Sequence, residues 1–401
     1  MKKALIFLFV LGTLVTTIHA QIWQPAPTFP GIERDDAATF TINDKHYVGT
    51  GLAPWFAALG DVHAFDTSTE TWQAVASLPG GAERQYACGF ASFTRGYFFG
   101  GLNDTNYLND LWQYDPTTNS WNQKTALPGL GRSGASCFVI GDTVYIFGGQ
   151  TKRQLAIAEV WAYSFSGDSW HQKNDLPVNG SRRGCASSNV VAGYACLGKD
   201  SLGQISPNLY RYEPQNDTWQ IESTLPFLPC TYAGMVHIPN NLYFLMGQDS
   251  SDTFHNDLWR YSTTLKQWFQ FPDLPDTPRR GGCTFGTSPI MLYYTTGLDS
   301  AGQRLKESYR FLLPVGLEEN NSTNNLLIFP NPAQSMLTIQ VPNATKQWNW
   351  TLFDMTGKIL EEGRSTKNSV LVNTAELTAG TYLIKVKYQE TVLHQTFSIT
   401  R

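Results

Sequence analysis

The sequence predicts an all-β protein: a closed propeller of six four-stranded blades followed by a small immunoglobulin-like β-sandwich. Three observations carry that reading. Six of the 12 tryptophans, Trp23, Trp72, Trp121, Trp170, Trp219 and Trp268, stand on one ruler, each 49 residues after the last. A period of this size marks a propeller in which one repeat is one blade. The first and last repeats are incomplete in complementary ways. Beyond residue 316 the period stops and a new alternation begins.

Taken in order, Lys2 and Lys3 precede an apolar run from Ala4 to Val15 and a small-residue region ending at Ala20. That is the pattern of a secretory signal peptide over residues 1–20, too short for a comfortable membrane span. No later stretch is long and apolar enough to cross a bilayer as a helix. A net charge of -4 gives no basic surface, which argues against nucleic acid as a partner.

Residues 21–316 carry the repeats. The second copy reads Arg84, Tyr97-Phe98-Phe99-Gly100-Gly101, Asp110-Leu111-Trp112-Gln113-Tyr114-Asp115, Trp121 and Leu127-Pro128. The third has Arg132, Val144-Tyr145-Ile146-Phe147-Gly148-Gly149, Glu159-Val160-Trp161-Ala162-Tyr163, Trp170 and Leu176-Pro177. Each copy reads as four strands. The first is rich in small residues, as a crowded axis requires. The second is aromatic and ends at glycine, which permits positive φ at the turn. The third carries Trp and Tyr, and the fourth carries the ladder Trp, expected to cover the blade core. Trp23 lacks the three strands that should precede it, while the last copy runs through Tyr309 and has Leu317 where its Trp is due. The N-terminal strand is therefore expected to complete the last blade and close the ring, which leaves few free edges. These residues resemble the kelch repeat. The resemblance implies the propeller fold and, in that family, ligand binding on one face; it does not specify an activity.

Residues 317–325 are polar and aperiodic and read as a linker. From 326 to 401, short alternating strands follow Pro330-Asn331-Pro332-Ala333, Asp354-Met355-Thr356-Gly357-Lys358 and Gly380-Thr381-Tyr382. These motifs resemble the C-terminal sorting domain of type IX secretion cargo, with Pro330, Asn331, Pro332, Gly357, Lys358, Gly380 and Tyr382 as the matching positions. The resemblance implies the type IX machinery as a partner and a final location outside the cell or on the outer-membrane surface.

Six cysteines in an exported chain invite a disulfide framework. Cys88, Cys137, Cys185 and Cys283 sit near the start of their repeats, however, so equivalent inner strands and buried free thiols are favoured.

The loops joining second to third strands, at 52–60, 102–109, 150–158, 199–207, 248–256 and 298–306, are long, and binding residues concentrate on such loops. Arg34, Arg84, Arg132, Arg183 and Arg280 are expected near the same face. Two readings of them stand side by side. A ring of guanidinium forks suits carboxylates or phosphates; repetition in five blades favours a structural role instead. Asp104, Asp200, Asp249 and Asp299 read as turn formers. The unrepeated loop residues Trp55, Phe56, Tyr107, Lys152, Arg153, His255 and Arg304 are the better ligand-binding candidates, Trp55 and Phe56 either as a stacking surface or as a local loop core. No catalytic motif, metal-ligand set or cofactor loop is present, so neither metal nor cofactor is expected. The expectation is an exported module that binds a glycan or protein; the alternative is a mutarotase or epimerase acting on an acidic sugar at the central pocket, since the resemblance extends to an exported six-bladed propeller of that activity.

Overall fold

The computed structural model describes residues 23–287, 291–313, 326–330, 333–341, 344, 346–354, 358–388 and 391–399. The proposed signal peptide, the linker and the motif residues Asn331, Pro332 and Gly357 lie outside the described residues. Among those described, every regular element of four residues or more is a β-strand. The chain divides into two compact units between Pro314 and Val315.

The first unit contains six four-stranded antiparallel sheets. The first sheet comprises Ala38–Ile42, Lys45–Gly49, Val62–Asp66 and Thr71–Val75. The second to fifth repeat this order, starting at Cys88–Ala91, Ser136–Ile140, Cys185–Ser188 and Gly234–Ile238. The sixth takes Cys283–Thr287, Met291–Thr295 and Ser308–Leu312 from the end of the repeats and Trp23–Ala26 from the start, with Trp23 opposite Phe311. First strands of successive sheets adjoin one another, and Ala38–Ile42 lies beside both Cys88–Ala91 and Cys283–Thr287.

The sequence pattern explains the layers. Second strands such as Gly96–Phe99 are buried on both faces, because each lies between its own neighbours and the next sheet. They therefore read as continuous aromatic runs instead of alternating. Apolar clusters fill the spaces between sheets: Phe40 and Tyr47 of the first sheet meet Phe98 and Tyr114 of the second, and Val48 and Phe65 of the first meet Phe285 and Tyr293 of the sixth. Each fully buried aromatic contributes roughly 1.5–3 kcal/mol.

The tryptophan ladder does more than cover a blade. Trp72, Trp121 and Trp170 donate through Nε1 to the carbonyls of Pro27, Ala76 and Thr125 at 2.9, 2.7 and 2.8 Å. Trp23 donates to Pro272 O at 2.8 Å and Trp268 to Ser223 Oγ at 2.9 Å. Four of these acceptors directly follow the outer strand of the preceding sheet and Ser223 lies within it, so the ladder ties neighbouring sheets together. Trp219 Nε1 is the exception, with no partner among the described residues. Cys88, Cys185 and Cys283 each begin a first strand, Cys137 lies within one, and none of the six cysteines forms a disulfide.

The second unit has two antiparallel sheets, Leu327–Phe329, Met336–Gln340 and Ser369–Asn373 in one, and Trp348–Asp354, Ile359–Ser365, Gly380–Tyr388 and Thr391–Ile399 in the other. They share one core around Leu337, Ile339, Trp348, Trp350, Leu352, Ile384, Val386 and Phe397. Along Trp348–Leu352 burial alternates, the period-2 pattern of a half-buried strand.

Candidate axial site of the propeller

Backbone pairing fixes which arginines are equivalent. The glycine two residues past the end of one sheet's second strand donates to the carbonyl of a residue in the next sheet's lead-in segment: Gly51 to Arg84, Gly101 to Arg132, Gly149 to Ser181 and Gly297 to Arg34, at 2.7 to 2.9 Å. One residue on, Thr231 pairs with Gln248 and Arg280 with Leu298, as Asp35 does with Leu52, so the true series is Arg34, Arg84, Arg132, Ser181, Cys230 and Arg279, and the expected ring of five arginines does not form. Arg183 and Arg280 belong to other positions of the repeat.

The arginines of this series are structural. Arg34, Arg84 and Arg279 are 0% exposed and Arg132 is 1% exposed. Arg34 forks onto Asp61 at 2.8 and 2.7 Å, and Arg84 onto Asp110 at 2.7 and 2.9 Å. Arg132 pairs with Glu159 at 2.7 Å, and Arg279 with Asp276. Nε of Arg34 and of Arg84 donates to the carbonyl two residues upstream, and Nη1 to the carbonyl of the residue just past the second strand, Thr50 or Gly100. A guanidinium so enclosed is a staple between loops and is closed to ligand.

Two residues past this series lies a different ring: Asp36, Tyr86, Gly134, Arg183, Tyr232 and Gly281. All six have positive φ, between 56° and 64°. Their main chains form a closed cycle of hydrogen bonds. Tyr86 N donates to Asp36 O, Gly134 to Tyr86, Arg183 to Gly134, Tyr232 to Arg183, Gly281 to Tyr232, and Asp36 to Gly281, at 2.7 to 3.2 Å. The left-handed conformation costs about 1–2 kcal/mol for a residue with a side chain, and the cycle holds four such residues in it. Backbone strain of this kind clusters at functional sites.

The six residues line a cavity of about 130 Å³ floored by Ala37, Ala87, Ala135, Gly184, Ala233 and Gly282. In the cycle Asp36 stands opposite Arg183, Tyr86 opposite Tyr232, and the two glycines opposite each other. The guanidinium of Arg183 lies over both tyrosine rings, 4.4 Å from Tyr86 and 4.8 Å from Tyr232, and donates to the Tyr232 hydroxyl. The glycines make room for their neighbours: a Cβ on Gly134 would approach Arg183 Cγ at 2.9 Å, and one on Gly281 would approach Asp36 Oδ1 at 2.6 Å.

Asp36 is buried, and its Oδ2 has no hydrogen-bond partner among the described residues. Burial pushes its pKa well above the usual carboxylate range, helped by Asp35 and opposed by Arg280 and Arg183. Arg280 Nη1 lies 3.6 Å from that oxygen, beyond hydrogen-bond reach, and is itself without a hydrogen-bond partner among the described residues. The Arg280 guanidinium also covers the Tyr232 ring at 4.1 Å. Burial likewise raises the Tyr86 phenol. The site therefore brings together fixed cations, hydroxyls and a carboxyl whose burial favours its protonated form, a set suited to an anion.

The other candidates fall around this site. Arg304 Nε donates to Asp35 Oδ1 at 2.6 Å, and its guanidinium lies 4.9 Å from the Phe56 ring. Phe56 and Trp55 are 76% and 63% exposed, so they form an open surface and not a loop core. Tyr107 accepts from Gln150 Nε2 at 2.7 Å, and Gln150 Oε1 accepts from Arg182 at 3.2 Å. Lys152 and Arg153 are exposed on their loop, apart from the cavity lining. His255 pairs with Asp249 at 3.0 Å. Asp200, Asp249 and Asp299 each accept from main-chain amides two and four residues on, as turn formers do. The described residues hold no group of three or more His, Cys, Asp or Glu side chains arranged for a metal ion.

The profile of the KLHDC2/KLHL20/DRC7 Kelch-repeats domain matches residues 12–194 and 93–224. The chain belongs to the kelch-repeat family. Its last part, residues 327–400, matches the secretion system C-terminal sorting domain, which makes this kelch propeller type IX secretion cargo bound for the cell surface or the extracellular space. Among solved structures, that of YjhT is similar to the chain with a TM-score of 0.61 and 17% identity, covering 71% of this chain and 95% of its own. At that identity the likeness concerns the fold alone. None of the curated proteins compared with the kelch chain matches it.

Proposed function

We propose that this is a six-bladed kelch propeller, closed by the N-terminal strand, that is exported with residues 1–20 as signal peptide and an immunoglobulin-like sorting domain at 326–401, and that it binds an acidic sugar of a glycan at the axial pocket. The observation that carries the binding reading is the pairing of Asp36 Oδ2 and Arg280 Nη1, two buried polar atoms without hydrogen-bond partners among the described residues, beside the aromatic-held Arg183. A carboxylate entering the pocket accepts from Arg183, from Arg280 and from protonated Asp36. Burying a polar group without a partner costs roughly 1–3 kcal/mol, so a ligand that satisfies both atoms recovers that cost.

A second reading is catalysis at the same pocket, and the raised carboxyl of Asp36 favours it. A carboxyl whose protonated form is favoured by burial suits ring opening of an acidic sugar, with Asp36 as the acid–base and Arg183 holding the sugar carboxylate.

The test is calorimetric titration of the full chain with N-acetylneuraminic acid and with glucuronic acid. Saturable binding lost in Arg183→Ala and Arg280→Ala, but kept in a variant of exposed Arg153, supports the axial site. Equal binding in all variants places the ligand elsewhere. Anomer exchange followed by NMR, lost in Asp36→Asn while binding persists, separates enzyme from binder.

A further inference from the structure

The rim of the axial pocket is unequal around its circumference. Where the first and sixth sheets meet, a chain of contacts runs outward from the pocket. Asp36 lines the cavity, and its neighbour Asp35, 1% exposed, accepts from Arg304 Nε at 2.6 Å. Arg304, also buried at its side chain, stacks at 4.9 Å on Phe56, which stands beside Trp55. The Trp55-Phe56 turn is built to present these rings. Ala53 N donates to Ala57 O at 2.9 Å and Phe56 N to Ala53 O at 2.8 Å, closing a tight loop, and Phe56 is held at φ 62°. Residues of this size fold inward when a loop has a core to offer. Here the loop is pinned with both rings outward.

We infer that Trp55 and Phe56 form a second subsite, a stacking shelf for the sugar ring next to the acidic one, so that the protein recognises the acidic end of an oligosaccharide in preference to a free acidic monosaccharide. The inference rests on the axial pocket being an acidic-sugar site. The pocket, about 130 Å³, has room for one small acidic group, so the rest of a glycan has to leave across the rim. The Asp35–Arg304–Phe56 chain ties one sector of that rim to Asp36. A tryptophan face covers the apolar C–H face of a sugar ring, while Arg304 keeps the shelf in register with the pocket. Asp35 and Arg304 are positioning residues in this arrangement; Trp55 and Phe56 make the contact.

The experiment compares N-acetylneuraminic acid with its trisaccharide, 3′-sialyllactose, on the full chain, with Trp55→Ala, Phe56→Ala and Arg183→Ala beside wild type. Because Trp55 is exposed, its removal leaves the fold intact, which a thermal melt verifies. The expected result is that wild type binds the trisaccharide about tenfold more tightly than the monosaccharide, as one stacked ring supplies. Trp55→Ala abolishes that difference and leaves monosaccharide affinity unchanged; Phe56→Ala reduces it. If both sugars bind through Arg183 but Trp55→Ala changes neither, the shelf is refuted and the axial site stands. If neither sugar binds wild type, both fall. If Trp55→Ala instead converts a dimer to a monomer in light scattering, the shelf is a contact between two copies and the inference is overturned.

Discussion

Replacing Arg84 with alanine tests the division of the arginines into staples and ligand groups. The variant removes two hydrogen bonds to Asp110, at 2.7 and 2.9 Å, and one each to Gly100 O and Ala82 O, at 3.0 and 2.8 Å. Burial alone pushes the Asp110 carboxyl up; the Arg84 bonds and charge, with Trp112 Nε1, more than offset this and hold it below its usual range. Without Arg84 that half-buried carboxylate is left with the Trp112 Nε1 bond against its desolvation. Breaking a buried pair on one side costs about 3–5 kcal/mol, and the four bonds are not additive, so that range is the expectation. The assay is urea unfolding followed by tryptophan fluorescence. A carboxyl held low in the fold adds stability above its unfolded pKa and loses it as pH falls through the folded one. The deficit of Arg84→Ala is therefore expected to be largest at neutral pH and to shrink as pH falls below the ordinary carboxyl value of 3.8. The double variant Arg84→Met/Asp110→Leu should recover much of the loss, since an apolar pair of similar volume is often near neutral. A deficit under about 1 kcal/mol at neutral pH, or loss of sugar binding with full stability, would show Arg84 to be no staple and refute the assignment.

Two further outcomes follow from groups whose ionisation burial shifts. His46 is buried, stacks on Phe285 at 4.4 Å and bonds Thr41 through Nδ1 at 2.7 Å; burial pulls its pKa from 6.5 to about 4. The neutral ring is favoured in the fold, so its contribution is complete above pH 6.5 and is lost as pH falls toward 4, a difference of at most about 3 kcal/mol. Thermal midpoints measured across that interval should fall in wild type and fall less in His46→Leu; parallel curves would refute it. Burial also pushes the thiols of Cys230 and Cys283 up to about 12, so the folded protein should react slowly with a thiol reagent, and six thiols should titrate once it is unfolded without reductant. Fewer than six in the unfolded chain would reveal a disulfide.

The 49-residue ruler made the repeat architecture legible because its physical cause is repetitive: every sheet buries the same faces against the same neighbours, so the same residue types return. The buried arginines were visible for that reason. Register was harder. In the fourth and sixth repeats Arg183 and Arg280 lie two residues and one residue past the true position, where Ser181 and Arg279 stand, and only the backbone pairing, Gly149 N to Ser181 O and Arg280 opposite Leu298, decides the alignment. Of the axial ring only Arg183 was singled out from the sequence, and then in the wrong register. The ring's residues share a backbone conformation and a hydrogen-bond cycle, while their side chains are Asp, Tyr, Gly, Arg, Tyr and Gly, with no identity to repeat. That divergence is itself the signal. A fixed offset of two residues past the staple, where the main chain demands positive φ yet Tyr and Arg are kept, marks positions whose side chains answer to something other than the fold. In a repeat protein the constant positions build the scaffold, and a ligand without sixfold symmetry selects side chains where the constancy breaks.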